Sequence, residues 1–404
     1  MATIFESAFH DGFGTWPLAY IPYGGADFGD VAAVAEKVGH GDDSAFYDAW
    51  VEAAQRQQAE ADATLARAKT ASARELYLRA SCSYAASYHP IYGAPVDPRL
   101  LDAFRKQMAL FATAMRLGDP AVEPLRIPFD RLSLPAYLIP AEGRAQERRP
   151  LLILTNGYDA TLTDLYFASA VAASRRGYHA LIFDGPGQGE LLYEHGVPLR
   201  PDWETVIAAV VDFALTLDVV DPARIALSGG SLGGYLAPRA ASGEHRLAAC
   251  IADPGQWSVA TGFRQAALRL GGTPDEVRDL GRIGDALLDR MRQMIEGDRK
   301  LRWMVVQRGF WANGVDNLRD YLASVETYTL EGRAELIRCP TLLTCAERDP
   351  LAAGVAAMLD ALRCPKQMIR FTAAEGAGDH CEMMNRSLLN RRVLDWLDDV
   401  LHND

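Results

Sequence analysis

The sequence predicts an α/β fold: a mostly parallel, doubly wound sheet behind a helical N-terminal region, with one helical insertion. Three observations carry this. From about residue 125 onward, short apolar runs of strand length alternate with helix-periodic segments, the pattern of a parallel sheet with helices on both faces. Before that point the chain is rich in Ala, Glu, Gln and Arg, with apolar residues three and four apart, which is helical spacing. Over about 258–335 the strand-by-helix rhythm stops and the chain reads as helical. The expected organisation is therefore a helical region over 1–125 and an α/β domain over 126–404 that carries the 258–335 insertion.

In chain order, "GTWPLAYIPYGGADFGD" reads as loop, punctuated by Pro and Gly. The segment from Asp42 to Pro90 reads as helix. "DPRLLDAFRKQMALFATAMRLG" opens on Asp-Pro and closes on Gly118, a helix start and stop. "EPLRIPFDRLSLPAYLIPAEG" reads as two strands suited to an antiparallel edge. "RRPLLILTNGYDA" is a buried strand. The helix after it, "TLTDLYFASAVAASRRG", has a capping box in Thr161 and Asp164. "YHALIFDGPGQG" is a buried strand with a glycine-rich exit, and "DWETVIAAVVDFALTL" a helix. "ARIALSGGS" is a strand and "LGGYLAPRAAS" a helix. "LAACIADPG", "PTLLTCAERDP" and "KQMIRFTAAEG" are strands, and "RRVLDWLDDVLHN" is the closing helix.

Bulk properties narrow the function. With 404 residues the chain can bury a core that needs no covalent staples. The formal charge is -12 and no long Lys/Arg run occurs, which disfavours nucleic acid as a partner. The six cysteines are scattered without a C-x-x-C pair and read as free thiols of a reducing compartment. Glu6 and Asp11 fall where a secretory leader would need an apolar core. No apolar run reaches the roughly 18 residues of a membrane span. A cytoplasmic enzyme acting on a small molecule, without membrane or nucleic-acid partners, is the expectation.

The chemistry centres on "GGSLG", Gly229 to Gly233, a G-x-S-x-G pattern between a strand and a helix. Such a serine sits on a sharp, strained turn, so its neighbours must have almost no side chain. The turn lifts the Ser231 hydroxyl above the sheet and aims the Leu232 N–H at the same point. A nucleophile follows from this context; the competing reading is a glycine-rich turn used only for close packing.

A serine hydroxyl needs a base. Of eight histidines, His380 in "EGAGDHCEMM" lies after the last strand and before the last helix, on the same sheet edge as Ser231. Its bland reading is a helix-capping loop histidine. His179 begins a strand, at the wrong end of the sheet. The base in turn needs an acid to fix its tautomer and stabilise the imidazolium. Asp349 in "TCAERDP" stands at a strand exit, with Asp253 in "IADPG" as runner-up; Asp379 is adjacent to His380 and would point away. The oxyanion donors expected are the N–H groups of Leu232 and Tyr158, the latter in the loop after "LLILTNG"; donors of this kind are worth about 10²–10³ in rate.

With these residues in hand the chain resembles the α/β-hydrolases. More narrowly it resembles the group of the pseudooxynicotine carbon–carbon hydrolases and the fungal yellowish-green-type polyketide hydrolases. "NGYDATLTDLY", "FDGPGQGE", "GGSLGGY" and "GDHC" carry the likeness, which spans roughly residues 125–400. The resemblance implies a Ser231–His380–Asp349 triad, no cofactor, and a homodimer through the N-terminal helices. It also implies an acid near the oxyanion loop that assists cleavage. Asp159 stands at that position, where the group has a glutamate; it could equally be the N-cap of the following helix. The group includes carbon–carbon hydrolases, plain esterases and amide or hydrazide hydrolases. An acyltransferase or cyclase would use the same triad, and a non-catalytic receptor on this fold would usually show a broken one.

Trp303, Phe310 and Trp311 in the insertion are candidates to line an apolar or aromatic pocket, although core packing is the commoner role of such residues. No H-x-x-H or clustered His/Cys spacing suggests a metal. "GPGQG" lacks the G-K-[ST] ending of a phosphate loop, and "GGSLGG" lacks dinucleotide spacing.

Overall fold

A computed structural model describes residues 4–402. Its strands are β1 (Leu125–Phe129), β2 (Leu132–Ile139), β3 (Arg149–Thr155), β4 (His179–Phe183), β5 (Val220–Gly230), β6 (Ala249–Asp253), β7 (Thr341–Ala346) and β8 (Lys366–Phe371). They form one sheet in the order β1-β2-β4-β3-β5-β6-β7-β8. The first two strands pair antiparallel at one edge, β2 pairs antiparallel with β4, and the remaining pairings are parallel. Every residue of β4 and β6 is buried, as expected where helices cover both faces of a parallel sheet.

The strand order places the site. From β3 the chain moves outward to β4, then crosses back to β5 on the other side of β3. Connections on the two sides therefore diverge at the β3/β5 boundary, the switch point at whose carboxyl edge open α/β sheets place their ligands. The loop after β3 carries "NGYD"; the exit of β5 carries Ser231.

Five longer helices precede the sheet or lead into it: Ala8–Gly14, Phe28–Val38, Asp43–Ala66, Thr70–Ser87 and Pro98–Arg116. Asp42 and Asp97 cap two of them by accepting from Ala45 and Arg99 N–H. These helices share one apolar core with the sheet. Phe111, for example, meets the rings of Tyr137 and Tyr166 edge-on at 5.1 and 5.3 Å. Buried Gln107 donates to Thr161 and Thr163 at 2.9 and 2.7 Å, so the N-terminal helices also grip the loop after β3. The 258–335 stretch is helical and builds a second apolar cluster around Leu280, Met291, Leu322 and Val325.

Two local expectations are corrected. The stretch expected as loop around residues 14–30 contains a helical turn, Trp16–Ala19, a 3₁₀ turn, Ile21–Tyr23, and the start of the Phe28–Val38 helix. Pro17 sits at the start of its turn, where its missing N–H costs nothing, and Asp27 with Asp30 forms a full capping box. The helix after β3 does start at the Thr161/Asp164 capping box, but it widens into a π-helical turn over Tyr166–Ala170 before resuming at Val171–Arg175. The closing helix runs Arg386–Leu401; Asn403 of its expected span lies outside the described residues. All six cysteines are free, and among the described residues no helix is long and apolar enough to cross a membrane.

Candidate active site

Ser231 has φ +59, a left-handed conformation that costs a non-glycine residue about 1–2 kcal/mol. The surroundings enforce it. A Cβ on Gly229 would collide with the Gly233 carbonyl, and one on Gly234 with the Pro254 carbonyl. The helix Gly233–Ala241 can therefore start directly against β5 and β6 only because these positions are bare. Ser231 N–H is held by the Asp253 carbonyl at 2.7 Å and also meets Cys381 Sγ at 3.1 Å. Gly230, by contrast, has open space where a Cβ would go.

His380 Nε2 lies 3.0 Å from Ser231 Oγ, and His380 Nδ1 donates to Asp349 Oδ2 at 2.8 Å. Asp349 fixes the tautomer, since a carboxylate only accepts; Nε2 then faces the serine as acceptor. The other Asp349 oxygen accepts from Leu351 N–H at 2.9 Å. The imidazole stays 41% exposed while the carboxylate is 1% exposed, so the relay is sealed at its acid end and open at its reacting end. Desolvation pulls the His380 pKa down, but the Cys381 sulfur and Asp349 reverse this, and the net shift is well above the ordinary histidine value.

The turn after His380 is strained. Cys381 and Glu382 both have positive φ, at 54 and 49°. Arg386 holds the turn: its Nη1 donates to the Cys381 carbonyl at 2.7 Å and to Asp253 Oδ2 at 2.9 Å. Its other nitrogens reach the Ala168 carbonyl and Ser169 Oγ. Glu382 is buried beside Asp253; burial and that neighbouring charge push its carboxyl well above the usual carboxylate range.

On the other side of the serine, the position of a Gly157 Cβ would be 2.8 Å from Leu232 N and 2.9 Å from Ser231 Cβ. The Gly157–Tyr158 backbone thus lies directly on the elbow. Gln188 of "FDGPGQGE" donates to the Asn156 and Gly157 carbonyls at 2.9 and 3.1 Å. A trans peptide points its N–H opposite its C=O, so holding the Gly157 carbonyl fixes the Tyr158 N–H facing away from Gln188. Gln188 is itself set by the Gly185 N–H at 3.0 Å, and Asn156 by Asp184 at 3.0 Å.

The structure thus brings together Ser231, His380, Asp349, Leu232 and Tyr158. Asp253 is engaged by Arg386 and, at 2.8 Å, by the Thr344 hydroxyl. Asp379 accepts from Met384 N–H, turned from the imidazole. Asp159 is not the N-cap of the next helix: Thr161 is, because its hydroxyl is one turn before the first free N–H groups. The Asp159 carboxylate instead pairs with Arg308. Trp303 and Trp311 belong to the main core, stacked on Tyr92 and Tyr193 at 5.7 and 5.3 Å. Phe310 packs on Tyr321 inside the insertion. Gln188, Arg308, Cys381 and Arg386 were not singled out by sequence reasoning; Gln188, Arg308 and Cys381 lie in stretches it had marked, and Arg386 does not. Among the described residues no three His, Cys, Asp or Glu side chains are grouped to hold a metal ion.

A sequence model of the α/β hydrolase family matches residues 151–389. The chain belongs to the α/β hydrolase family. Its relatives carry hydrolase names. This α/β hydrolase is 34% identical over 347 residues to the hydrolase acrC of Aspergillus aculeatus, covering 81% of this chain and 80% of that one. It is 30% identical over 403 residues to a 20-hydroxy-prefusarin hydrolase of Gibberella moniliformis, covering 94% of each. Among solved structures, 2,6-dihydroxy-pseudo-oxynicotine hydrolase superposes with a TM-score of 0.74 at 23% identity over 95% of each chain. The α/β hydrolase is therefore an enzyme of the hydrolase class, with a helical N-terminal region inside the shared fold.

Two outcomes follow from the packing. Gly229→Ala should lose about 1–3 kcal/mol through overpacking, whereas Gly230→Ala should stay within about 0.5 kcal/mol; urea unfolding of the pair reads the contrast. Gln188→Leu should keep the fold, checked by circular dichroism, yet lower kcat by about 10²-fold because the Gly157 carbonyl, and with it the Tyr158 N–H, is no longer held.

Proposed function

We propose that this α/β hydrolase is a serine hydrolase that cleaves an acyl bond of a small apolar or aromatic substrate. The observation that carries the reading is the continuous Ser231–His380–Asp349 hydrogen-bond relay at the β3/β5 switch point. His380 takes the Ser231 proton as Oγ attacks the acyl carbon. Leu232 and Tyr158 N–H groups hold the resulting oxyanion. The imidazolium, stabilised by Asp349, returns its proton to the leaving group, and water activated by His380 hydrolyses the acyl-enzyme. The N-terminal helices and the 258–335 insertion act as cap elements over this site.

If the leaving atom is carbon, it departs as a carbanion that needs a neighbouring ketone or aromatic ring. The motif resemblance to carbon–carbon and polyketide hydrolases, together with a relative that hydrolyses 20-hydroxy-prefusarin by name, supports a ketone-bearing aromatic or polyketide-like substrate over a simple alkyl ester. A panel of an aryl ester, an anilide, a hydrazide and a β-diketone distinguishes the bonds. Preferential diketone turnover favours the carbon–carbon reading, and ester turnover without it favours an esterase. An alcohol or amine incorporated in place of water's oxygen would reassign the enzyme as an acyltransferase.

Ser231→Ala should lower kcat at least about 10⁴-fold and abolish labelling by a fluorophosphonate; full turnover in that variant sinks the reading. The pH profile supplies a second check. A general base works only when neutral, and the His380 pKa is raised. Activity should therefore fall with decreasing pH through a limb lying above about 6.5, the ordinary histidine value. Asp349→Asn removes a carboxylate that raises this pKa, so its residual activity should show the limb displaced to lower pH.

A further inference from the structure

Asp159 follows the Tyr158 donor directly, and its contacts come from two distant parts of the chain. Arg308 Nη1 donates to both carboxylate oxygens, at 3.2 and 2.9 Å. The Asp159 backbone carbonyl accepts from the Tyr92 hydroxyl at 2.9 Å and from His89 Nε2 at 3.3 Å. The first partner belongs to the insertion and the others to the N-terminal region. The pair is well buried, with side-chain exposures of 11% for Arg308 and 15% for Asp159.

Arg308 also engages Tyr158 itself. Its guanidinium carbon lies 4.4 Å from the centre of the Tyr158 ring and 5.4 Å from that of Trp303, close enough for cation–π attraction to both. The Tyr158 hydroxyl accepts from Asn313 Nδ2 at 3.1 Å. Trp303 Nε1 donates to the His89 carbonyl at 2.7 Å, tying the same turn to the N-terminal region. The local backbone is built for this. Trp303–Gly309 forms a π-helical turn, a rare geometry concentrated at functional sites. Residues five apart diverge around an α-helix, but i→i+5 hydrogen bonding stacks them, and Trp303 and Arg308 are five apart. The Trp303 ring therefore lies beside the Arg308 guanidinium.

We propose that Arg308 is a positioning residue that latches the Tyr158–Asp159 segment, and with it the Tyr158 N–H, against the Ser231 elbow. This rests on the reading of Ser231 as nucleophile and Tyr158 N–H as oxyanion donor. A buried guanidinium needs its carboxylate, and removing one partner strands the other's charge. The loop carrying the donor is thus bound to the insertion through a pair that is costly to open, and Asp159 serves the latch rather than the bond being cleaved.

The test uses the full-length enzyme and an aryl ester or other substrate that wild type turns over. Arg308→Gln and Asp159→Asn should each lower kcat by about 10²-fold, the effect of a misplaced donor, with KM unchanged within about threefold. Because each change opens the same latch, the double variant should be no slower than the slower single one. Phosphonylation of Ser231 by a fluorophosphonate should slow in parallel, since the phosphonyl oxygen uses the same donors. Arg308→Lys, which keeps the charge but loses the planar stack, should retain the fold and sit between wild type and Arg308→Gln. That variant also keeps the test decisive if Arg308→Gln does not fold. Losses that multiply in the double variant would overturn the latch. So would a rise in KM with kcat preserved, which would make Arg308 a substrate contact. Turnover surviving Ser231→Ala would instead remove the nucleophile reading and leave the Arg308 results as a separate matter.

Discussion

Three backbones meet at Ser231 without intervening side chains, and the rest of the molecule is arranged around that contact. The first turn of the Gly233–Ala241 helix presses on β5 through Gly229 and on the end of β6 through Gly234, and the loop after β3 presses on the elbow through Gly157. Close approach of this kind leaves no room for adjustment by side-chain rotation. The left-handed Ser231 is therefore held by steric exclusion around it, and its cost is met by packing of the buried Tyr235, Leu236 and Ala237 against the sheet. A nucleophile on such a turn has one orientation. His380 and the backbone of Leu232 and Tyr158 must come to the serine, because it cannot turn toward them.

The histidine arrives by a second strained element. Two consecutive left-handed residues after His380 are unusual for Cys and Glu, and each is tolerated only where the surroundings over-determine it. Arg386 does this from one position, reaching the Cys381 carbonyl, Asp253, Ala168 and Ser169. It therefore joins the His380 turn, the end of β6 and the helix after β3. The same Asp253 whose carbonyl receives Ser231 N–H uses its carboxylate to bind Arg386. Serine and histidine turns are thus registered against one residue. Asp253 contributes this through its position at a strand exit, the same property that made it a plausible triad acid on the sequence.

The central strands β3, β4, β5 and β6 were legible because each carries an apolar run that leaves through Asn156, Asp184, Gly229–Gly230 or Asp253, and the exits of β3, β5 and β6 stand side by side in the sheet. Asp349 was legible for the same reason. The segment after Gly14 was misread because Pro and Gly normally punctuate loops, while here Pro17 opens a helical turn and the Asp27/Asp30 box restarts the helix shortly after. Asp159 was undecidable locally: an acid two residues before Thr161 has the composition of a cap. Its partner lies 149 positions away, and no local pattern encodes a pairing across that distance. Cys381 and Ser231 N–H are 150 positions apart, with the same consequence. Gln188 lay in a stretch that stood out, but its task depends on which carbonyls the fold brings to it.

The two helical additions differ in how they are attached, and that difference bears on what they do. The N-terminal helices share the apolar core of the sheet and reach the loop after β3 through neutral groups: Gln107 to Thr161 and Thr163, and Tyr92 to the Asp159 carbonyl. Such hydrogen bonds are satisfied as long as the core is packed, so this side behaves as fixed scaffold. The insertion has an apolar cluster of its own, joins the main core through Trp303 and Trp311, and meets the same loop through a charged pair and the Tyr158 ring stack. An ion pair this buried is costly to open, because either partner alone would be left charged away from water. The loop after β3 therefore has two anchors of different kinds: neutral hydrogen bonds from the N-terminal helices, and a buried charge pair whose attraction is strong because little water reaches it.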